Sequence, residues 1–233
     1  MSYVINSENT FVFTGDRNAD GKRDFTGAFD PEARAFMKLY GIPISNRLSV
    51  NFGNPGFESP RRRSQVLDFI KTTSPDKELG CIAVFCHGLT NKIEIGFGRK
   101  HIADLVGALK VRKTAKNILV LLYCCSTGGT SANATGDNSF ADLLRDELCK
   151  QGFSDCRVLA HTVVGHATRN PMKRFFDGLG SPVGGTGGQM IVSPTAQKAF
   201  FARWRAALTR TDLFRFRFPT MSIAEIHNHL ISL

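Results

Sequence analysis

A histidine and a cysteine follow two short apolar runs of this 233-residue chain at matching points, just after each run ends. The first run, Cys81–Cys86 (CIAVFC), is followed by His87. The second, Ile118–Leu122 (ILVLL), leads through Tyr123 to Cys125 and a turn of small residues. A thiol with an imidazole base is the minimum for nucleophilic catalysis, and the two groups meet through the fold. Cys125 and His87 are therefore the candidate catalytic pair.

Both apolar runs are predicted to be strands that are buried on both faces of a parallel sheet. We expect them to be neighbours, so that His87 and Cys125 emerge at the carboxyl edge, where open α/β sheets place their ligands. The interval between the two residues (125 − 87 = 38) leaves room for one crossover helix, predicted over 100–109. Singly, His87 would suit a core histidine and Cys125 a small core hydrophobe, but their matched positions favour catalysis.

Strands and helices alternate along most of the chain. The predicted strands cover residues 9–14, 47–52, 81–86, 118–122, 157–164 and 213–218. The predicted helices begin at Asp30 (as the N-cap), Ser59-Pro60, Lys100, Ser139, Thr195 and Ser222. This order predicts an α/β fold with a mostly parallel sheet of about six strands, the last of them antiparallel. The glycine-rich stretch 169–188 breaks the pattern and is predicted to be a long, mobile surface segment.

The composition, 42% hydrophobic and 21% charged, is that of a globular protein, and residues 1–233 are predicted to form one domain. The longest apolar runs have five or six residues, too short to span a bilayer, so no membrane partner is expected. The polar first ten residues do not resemble a signal peptide. The six cysteines lack paired CxxC spacings, which predicts a reduced, cytoplasmic protein without a zinc site.

A net charge of +10 would favour contact with nucleic acid or acidic surfaces. The charge is concentrated in 61–63, in 110–116 and near the end of the sequence. No nucleic-acid motif accompanies it, so nucleic acid is not expected as a partner and a solvated basic face is predicted. The oligomeric state is left open.

The two strand ends and the order of elements resemble the caspase-like cysteine peptidases, the clan that includes legumain, gingipain and the metacaspases. One apolar strand ends in His87-Gly88, and a later one ends in Tyr123-Cys124-Cys125, followed by a small-residue turn. Cys125 matches the family nucleophile, whereas Cys124 falls where a small residue usually packs. The resemblance covers about residues 9–165, and only the two blocks are specific. The Gln-Ala-Cys-x-Gly signature is absent, so the chain resembles a distant member.

The resemblance implies a three-layer α/β/α caspase-like sandwich and a thiolate mechanism. His87 would act as general base or acid, and Cys125 would be the acylated nucleophile. The backbone N–H groups of Gly88 and Cys125 would stabilise the oxyanion. The implied substrate is a protein or a peptide, with no organic cofactor.

The resemblance also indicates residues that line the substrate pocket. Tyr123 stands two residues before the nucleophile, where the metacaspases place Asp, legumain Glu and caspases Gln. Arg23 and Asp24 lie in the loop after the first strand, where caspases carry an arginine that selects acidic substrates. His166 follows the predicted strand 157–164 and is a substrate-side candidate. These residues leave acidic and basic preferences both open.

Asp16-x-Asn18-x-Asp20-Gly21 has the start of a calcium-binding loop, with oxygen ligands at alternate positions. The twelfth position is Gly27, where an EF-hand requires Glu. A β-loop calcium site and a solvated turn of Asp and Asn residues both stay open.

Two other functions fit parts of the sequence. Residues 85–90 would suit the oxyanion loop of an α/β-hydrolase-type serine esterase with Ser126 as nucleophile, but Cys124 replaces the first glycine of G-x-S-x-G. A catalytically silent caspase-like scaffold that binds partners through its basic surface is the non-enzymatic alternative.

Overall fold

A seven-stranded sheet forms the centre of the protein in the computed structural model, which describes residues 5–15, 29–50, 58–129, 135–163, 170, 172–178, 187–191, 195, 199 and 202. Its strands are β1 (Thr10–Thr14), β2 (Arg47–Ser49), β3 (Leu79–Phe85), β7 (Thr114–Tyr123), β8 (Arg157–His161), β9 (Lys173–Asp177) and β10 (Gln189–Met190). They lie side by side in the order β10-β9-β8-β7-β3-β1-β2. The first five along the chain are parallel, and β9 is antiparallel to both of its neighbours.

A second, three-stranded sheet follows β3 directly. It consists of β4 (Gly88–Leu89), β5 (Lys92–Ile93) and β6 (Phe97–Gly98), paired in antiparallel fashion. Strands of two residues carry too little periodicity to be read from a sequence, and this hairpin unit was not predicted. It matters for the site because it begins one residue after His87.

Helices cover both faces of the large sheet. The α helices are α1 (Phe29–Tyr40), α2 (Pro60–Thr72), α3 (Ile102–Val111) and α4 (Phe140–Lys150), with short 3₁₀ helices at Ile44–Asn46 and Arg99–His101. Phe36 of α1 packs in one core cluster with Ala83 and Leu121. Val66 of α2 and Leu144 of α4 share the opposite cluster with Val84. The predicted α/β fold, three layers with a mostly parallel sheet, is confirmed.

Local signals set most of these boundaries. The Ser59 and Ser139 hydroxyls cap α2 and α4 by accepting hydrogen bonds from the backbone N–H groups three residues on. The predicted N-cap Asp30 is wrong, because α1 already includes Phe29 and the Asp30 carboxylate pairs instead with Arg34 and Arg47.

The prediction of a mobile segment over 169–188 is wrong for its central part. Residues 173–177 form β9, which pairs with β8 through five residues, and Phe176 is fully buried. Its sequence, KRFFD, places a phenylalanine beside charged residues on both faces, which hides the alternation that marks a strand. The predicted antiparallel strand 213–218 lies outside the described residues. Thr195, Ala199 and Ala202, the described residues of the predicted helix 195–208, are helical.

The prediction of a solvated basic face is wrong for two of its arginines. Arg62 is fully buried, and its Nη1 donates to the carbonyl of Glu94 at 3.2 Å. The Arg112 guanidinium is nearly buried and donates to the backbone carbonyls of Ile70, Thr73, Ser74 and Lys77. Both guanidinium groups satisfy internal carbonyls, so they belong to the protein's interior.

Candidate active site

The register of β3 and β7 brings the two candidate catalytic residues together. The strands are parallel neighbours whose last cross-strand pair is Phe85 and Tyr123. The two rings stack with centroids 4.6 Å apart and an interplanar angle of 16°. His87 and Cys125 each follow this pair by two residues, so both follow the carboxyl ends of neighbouring parallel strands.

Gly88 packs directly against the turn that carries Cys125. A methyl group added to Gly88 would lie 2.7 Å from the Cys125 carbonyl oxygen, 2.8 Å from Cβ of Cys124 and 2.8 Å from Cγ2 of Thr127. Real Cβ atoms do not approach backbone so closely, so only glycine fits this position. The segment after His87 and the turn at Cys125 are therefore in contact.

The His87 side chain is held from the α1 side of the sheet. Its ring contacts the Phe29 ring edge-on, with centroids 4.8 Å apart and an interplanar angle of 87°. The His87 carbonyl accepts a hydrogen bond from the backbone N–H of Glu94 at 3.0 Å. The Arg62 guanidinium binds both the carbonyl and the carboxylate of Glu94, at 3.2 Å and 3.3 Å. These contacts hold the His87 ring and the backbone that follows it.

Cys125 opens a tight turn that is closed by its own hydrogen bonds. The Thr127 hydroxyl donates to the Cys124 carbonyl at 2.9 Å, and the Gly129 N–H donates to the Ser126 carbonyl at 3.1 Å. Ser126 has a left-handed backbone, with φ of 58°, which is uncommon for a residue with a side chain. Cys125 is half-buried and forms no disulfide.

The neighbouring cysteines lie on the opposite face of the sheet. Cys86 and Cys124 are fully buried in the core cluster beneath α2, α3 and α4, with their sulfur atoms 3.5 Å apart. Burial raises the pKa of the Cys124 thiol well above its ordinary value. A neutral thiol is a poor nucleophile, so Cys124 is suited to packing and Cys125 to chemistry.

A narrow, shallow crevice lies beside Tyr123 on the α1 side of β7 and β8. Its described lining includes Lys173 and His161, and no carboxylate is among these described residues. The Lys173 ammonium lies 5.4 Å from the centre of the Tyr123 ring, and the His161 ring lies 5.9 Å from it. Burial lowers the pKa of Lys173 because the ammonium loses solvation.

Six predicted site residues lie outside the described residues. These are the pocket candidates Arg23, Asp24 and His166 and the calcium candidates Asp16, Asn18 and Asp20. Within the described part of the chain, no group of three or more His, Cys, Asp and Glu side chains could hold a metal ion. Among the same residues, no helix is long and apolar enough to cross a membrane.

Three further residues near the site were missed from the sequence. Arg62 supports the loop after His87, Lys173 lies over Tyr123, and Arg174 contacts the turn after Cys125. Each acts from another element, through contacts 32 or more residues apart, and no sequence pattern marks such pairs. A search against protein-family models and a search of curated proteins both returned no match.

Proposed function

We propose that the protein is a cysteine endopeptidase that uses Cys125 as nucleophile and His87 as general base and acid. The observation that carries this proposal is the placement of both residues two positions past one cross-strand pair, with Gly88 against the Cys125 carbonyl. A thiol and an imidazole that follow adjacent strand ends on a rigid sheet support this assignment.

The proposed reaction has two halves. His87 takes the thiol proton, and the Cys125 sulfur attacks the peptide carbonyl carbon, so that a C–S bond forms and the carbonyl oxygen becomes an oxyanion. The C–N bond then breaks, and His87 gives its proton to the leaving amine. In the second half water, deprotonated by His87, attacks the thioester, the C–S bond breaks, and the thiol is restored as the acid product leaves.

The oxyanion would be bound by the backbone N–H groups of Gly88 and Cys125. One such donor contributes about 3–4 kcal/mol of transition-state stabilisation in a well-measured protease. Gly88 suits this role because its missing side chain lets its backbone lie against the Cys125 turn. The close contact between Gly88 and the Cys125 turn keeps the two donors on neighbouring segments.

The crevice beside Tyr123 favours substrates with an acidic residue before the scissile bond. Lys173 supplies a cation there, and the His161 ring is part of the same lining. Tyr123 places no negative charge at its position. Legumain and the metacaspases, which this chain resembles, carry a carboxylate there. A substrate carboxylate at the mouth of this crevice would gain a charge-assisted hydrogen bond from the ammonium.

The geometry fits the serine esterase alternative less well. A nucleophile elbow passes directly from strand to helix, whereas α4 begins at Phe140, fourteen residues after Ser126 (140 − 126 = 14). The scaffold alternative needs a broad basic surface, and the burial of Arg62 and Arg112 removes two charges from it.

Cleavage of a mixed peptide library tests the proposal, with products read by mass spectrometry under reducing conditions. Wild type is expected to cleave, and Cys125→Ala and His87→Ala are expected to be inactive. Cys149→Ala is the matched control, because Cys149 is also half-buried but lies at the end of α4, and it should retain activity. Parallel reactions with calcium and with a chelator test the predicted calcium loop.

Two outcomes would contradict the proposal. Loss of activity with a fluorophosphonate but not with iodoacetamide would indicate Ser126 and the esterase alternative. No cleavage by wild type in either calcium condition would favour the binding scaffold. A cytoplasmic location and a protein or peptide substrate are part of the proposal.

A further inference from the structure

Arg174 is a buried arginine that reaches from β9 to the turn after Cys125. Its side chain is 2% exposed, and its Nη1 donates to the carbonyl of Gly128 at 2.7 Å. Gly128 lies three residues after Cys125, so Arg174 contacts the turn without being part of the candidate catalytic pair.

Glycines from three segments make room for this arginine. A methyl group on Gly129 would lie 2.9 Å from the Arg174 Nη1, and one on Gly136 would lie 2.9 Å from its Cδ. A methyl group on Gly188 would lie 2.7 Å from its Cγ. Any of the three side chains would displace the guanidinium or its stem. The glycines at these positions therefore serve to enclose Arg174.

The Gly128 peptide groups are held on both sides. The Gly128 N–H donates to the carbonyl of His161 at 2.8 Å, while its carbonyl accepts from Arg174. His161 ends β8 and Arg174 lies in β9, so two adjacent strands fix the far end of the turn. The near end is fixed by β7. The direction of the Cys125 N–H is set between these two anchors.

We propose that Arg174 is a positioning residue that holds the turn 125–129 so that the Cys125 backbone N–H faces the oxyanion. The inference rests on the proposed function, because only acyl transfer forms an oxyanion. Removing the guanidinium leaves the Gly128 carbonyl without this donor and loosens the turn. The thiol and imidazole stay in place, since β7 and β3 hold them.

The experiment compares two reactions of the same thiol. Peptide cleavage passes through an oxyanion, whereas alkylation of Cys125 by iodoacetamide is a direct displacement without one. Arg174→Met keeps the aliphatic stem and removes the donors. We expect a decrease in kcat of about 10- to 100-fold, smaller than the roughly 100- to 1,000-fold decrease reported for outright loss of an oxyanion donor. KM and the alkylation rate should stay within about twofold of wild type, because neither depends on the oxyanion. The pH profile of alkylation should be unchanged for the same reason.

Arg174→Lys is the conservative variant and should recover part of kcat, because it retains a cationic donor of similar length. Arg112→Met is the matched control. Arg112 is also a nearly buried arginine that donates to backbone carbonyls, but it lies at the opposite edge of the sheet, where β7 begins. That variant should lower the melting temperature and leave kcat unchanged.

Four outcomes would overturn the inference. One is an unchanged kcat in Arg174→Met, and another is a parallel fall of kcat and alkylation rate, which would indicate general disruption of the site. If Arg174→Met does not fold, Arg174→Lys provides the test instead. A Lys variant that folds but is alkylated more slowly than wild type would contradict the positioning role of Arg174. Absence of cleavage by wild type would overturn the proposed function and this inference together, whereas cleavage with normal Arg174 variants overturns the inference alone.

Discussion

Gly88 lies so close to Cys125 that a single methyl group on the glycine would stand 2.7 Å from the cysteine carbonyl oxygen. The contact joins the two strand ends that carry the candidate base and nucleophile. Because the two segments touch through backbone, a change at Gly88 must shift one of them. A substitution at Gly88 is therefore the most direct test of the candidate site.

Gly88→Ala should reduce kcat/KM by roughly 100- to 1,000-fold, the cost of displacing an oxyanion donor. The measurement is peptide cleavage alongside a thermal unfolding curve. Gly107→Ala is the matched control: it lies in α3, and a methyl group there meets nothing within 4 Å. The control should be fully active and more stable by about 0.5–1 kcal/mol, the gain of alanine over glycine in a helix. Full activity in Gly88→Ala would contradict the proposed oxyanion site.

The cysteines should differ sharply in reactivity. Iodoacetamide at neutral pH should modify Cys125 first and half-buried Cys149 more slowly, because alkylation needs an exposed thiolate. The buried thiols should react only after unfolding in guanidinium; they are Cys81, Cys86, Cys124 and Cys156. Peptide mapping by mass spectrometry measures each site. If Cys149 reacts as fast as Cys125, then Cys125 has no activating base.

The sequence was informative where apolar runs and capping residues mark an element. β3, β7 and the starts of α2 and α4 were predicted for that reason, and the parallel pairing of β3 with β7 followed from the crossover helix between them. β9 escaped prediction because charged and aromatic residues share each of its faces. Arg174 escaped because a side-chain bond to a carbonyl 46 residues away leaves no periodic signal. The pair Cys125 and His87 could be proposed from residue types and positions. The contacts by which Arg62 and Arg174 support it could be seen only in the folded structure.

Buried thiol and phenol groups should make the protein lose stability at alkaline pH. Burial raises the pKa of the Cys81 thiol to about 12, and it also raises the pKa values of Tyr123, Cys124 and Cys156. The folded state then keeps these protons at a pH where the unfolded chain has lost them. The free energy of unfolding is therefore unaffected below the ordinary thiol pKa of about 8.5 and falls as pH rises toward 12.

The expected slope is about 1.4 kcal/mol per pH unit for each fully shifted group. Urea unfolding at several pH values from 7 to the onset of alkaline unfolding measures it. Cys81→Ala should show a shallower slope because one such proton is removed. A free energy of unfolding that stays constant above the ordinary thiol pKa would contradict the assignment.

Under the proposed function, Lys173 should determine which residue is accepted before the scissile bond. Its ammonium lies 5.4 Å from the centre of the Tyr123 ring, in a crevice that it shares with His161. A hydrogen bond to a charged group contributes about 1.5–3 kcal/mol, so Lys173→Met should lower kcat/KM for acidic substrates by about 10- to 100-fold. Substrates with a neutral residue at that position should change little, because they make no ion pair with the ammonium.

Charge reversal separates specificity from damage to the site. Lys173→Glu places a carboxylate beside Tyr123, which should repel acidic substrates and admit basic ones. Cleavage of three peptide sets with an acidic, neutral or basic residue before the scissile bond gives the three ratios. If all three sets lose activity equally, Lys173 acts on the fold and not on selection. A basic preference in wild type would show that the cation beside Tyr123 does not face the substrate, and the determinant would then have to come from another segment of the cleft.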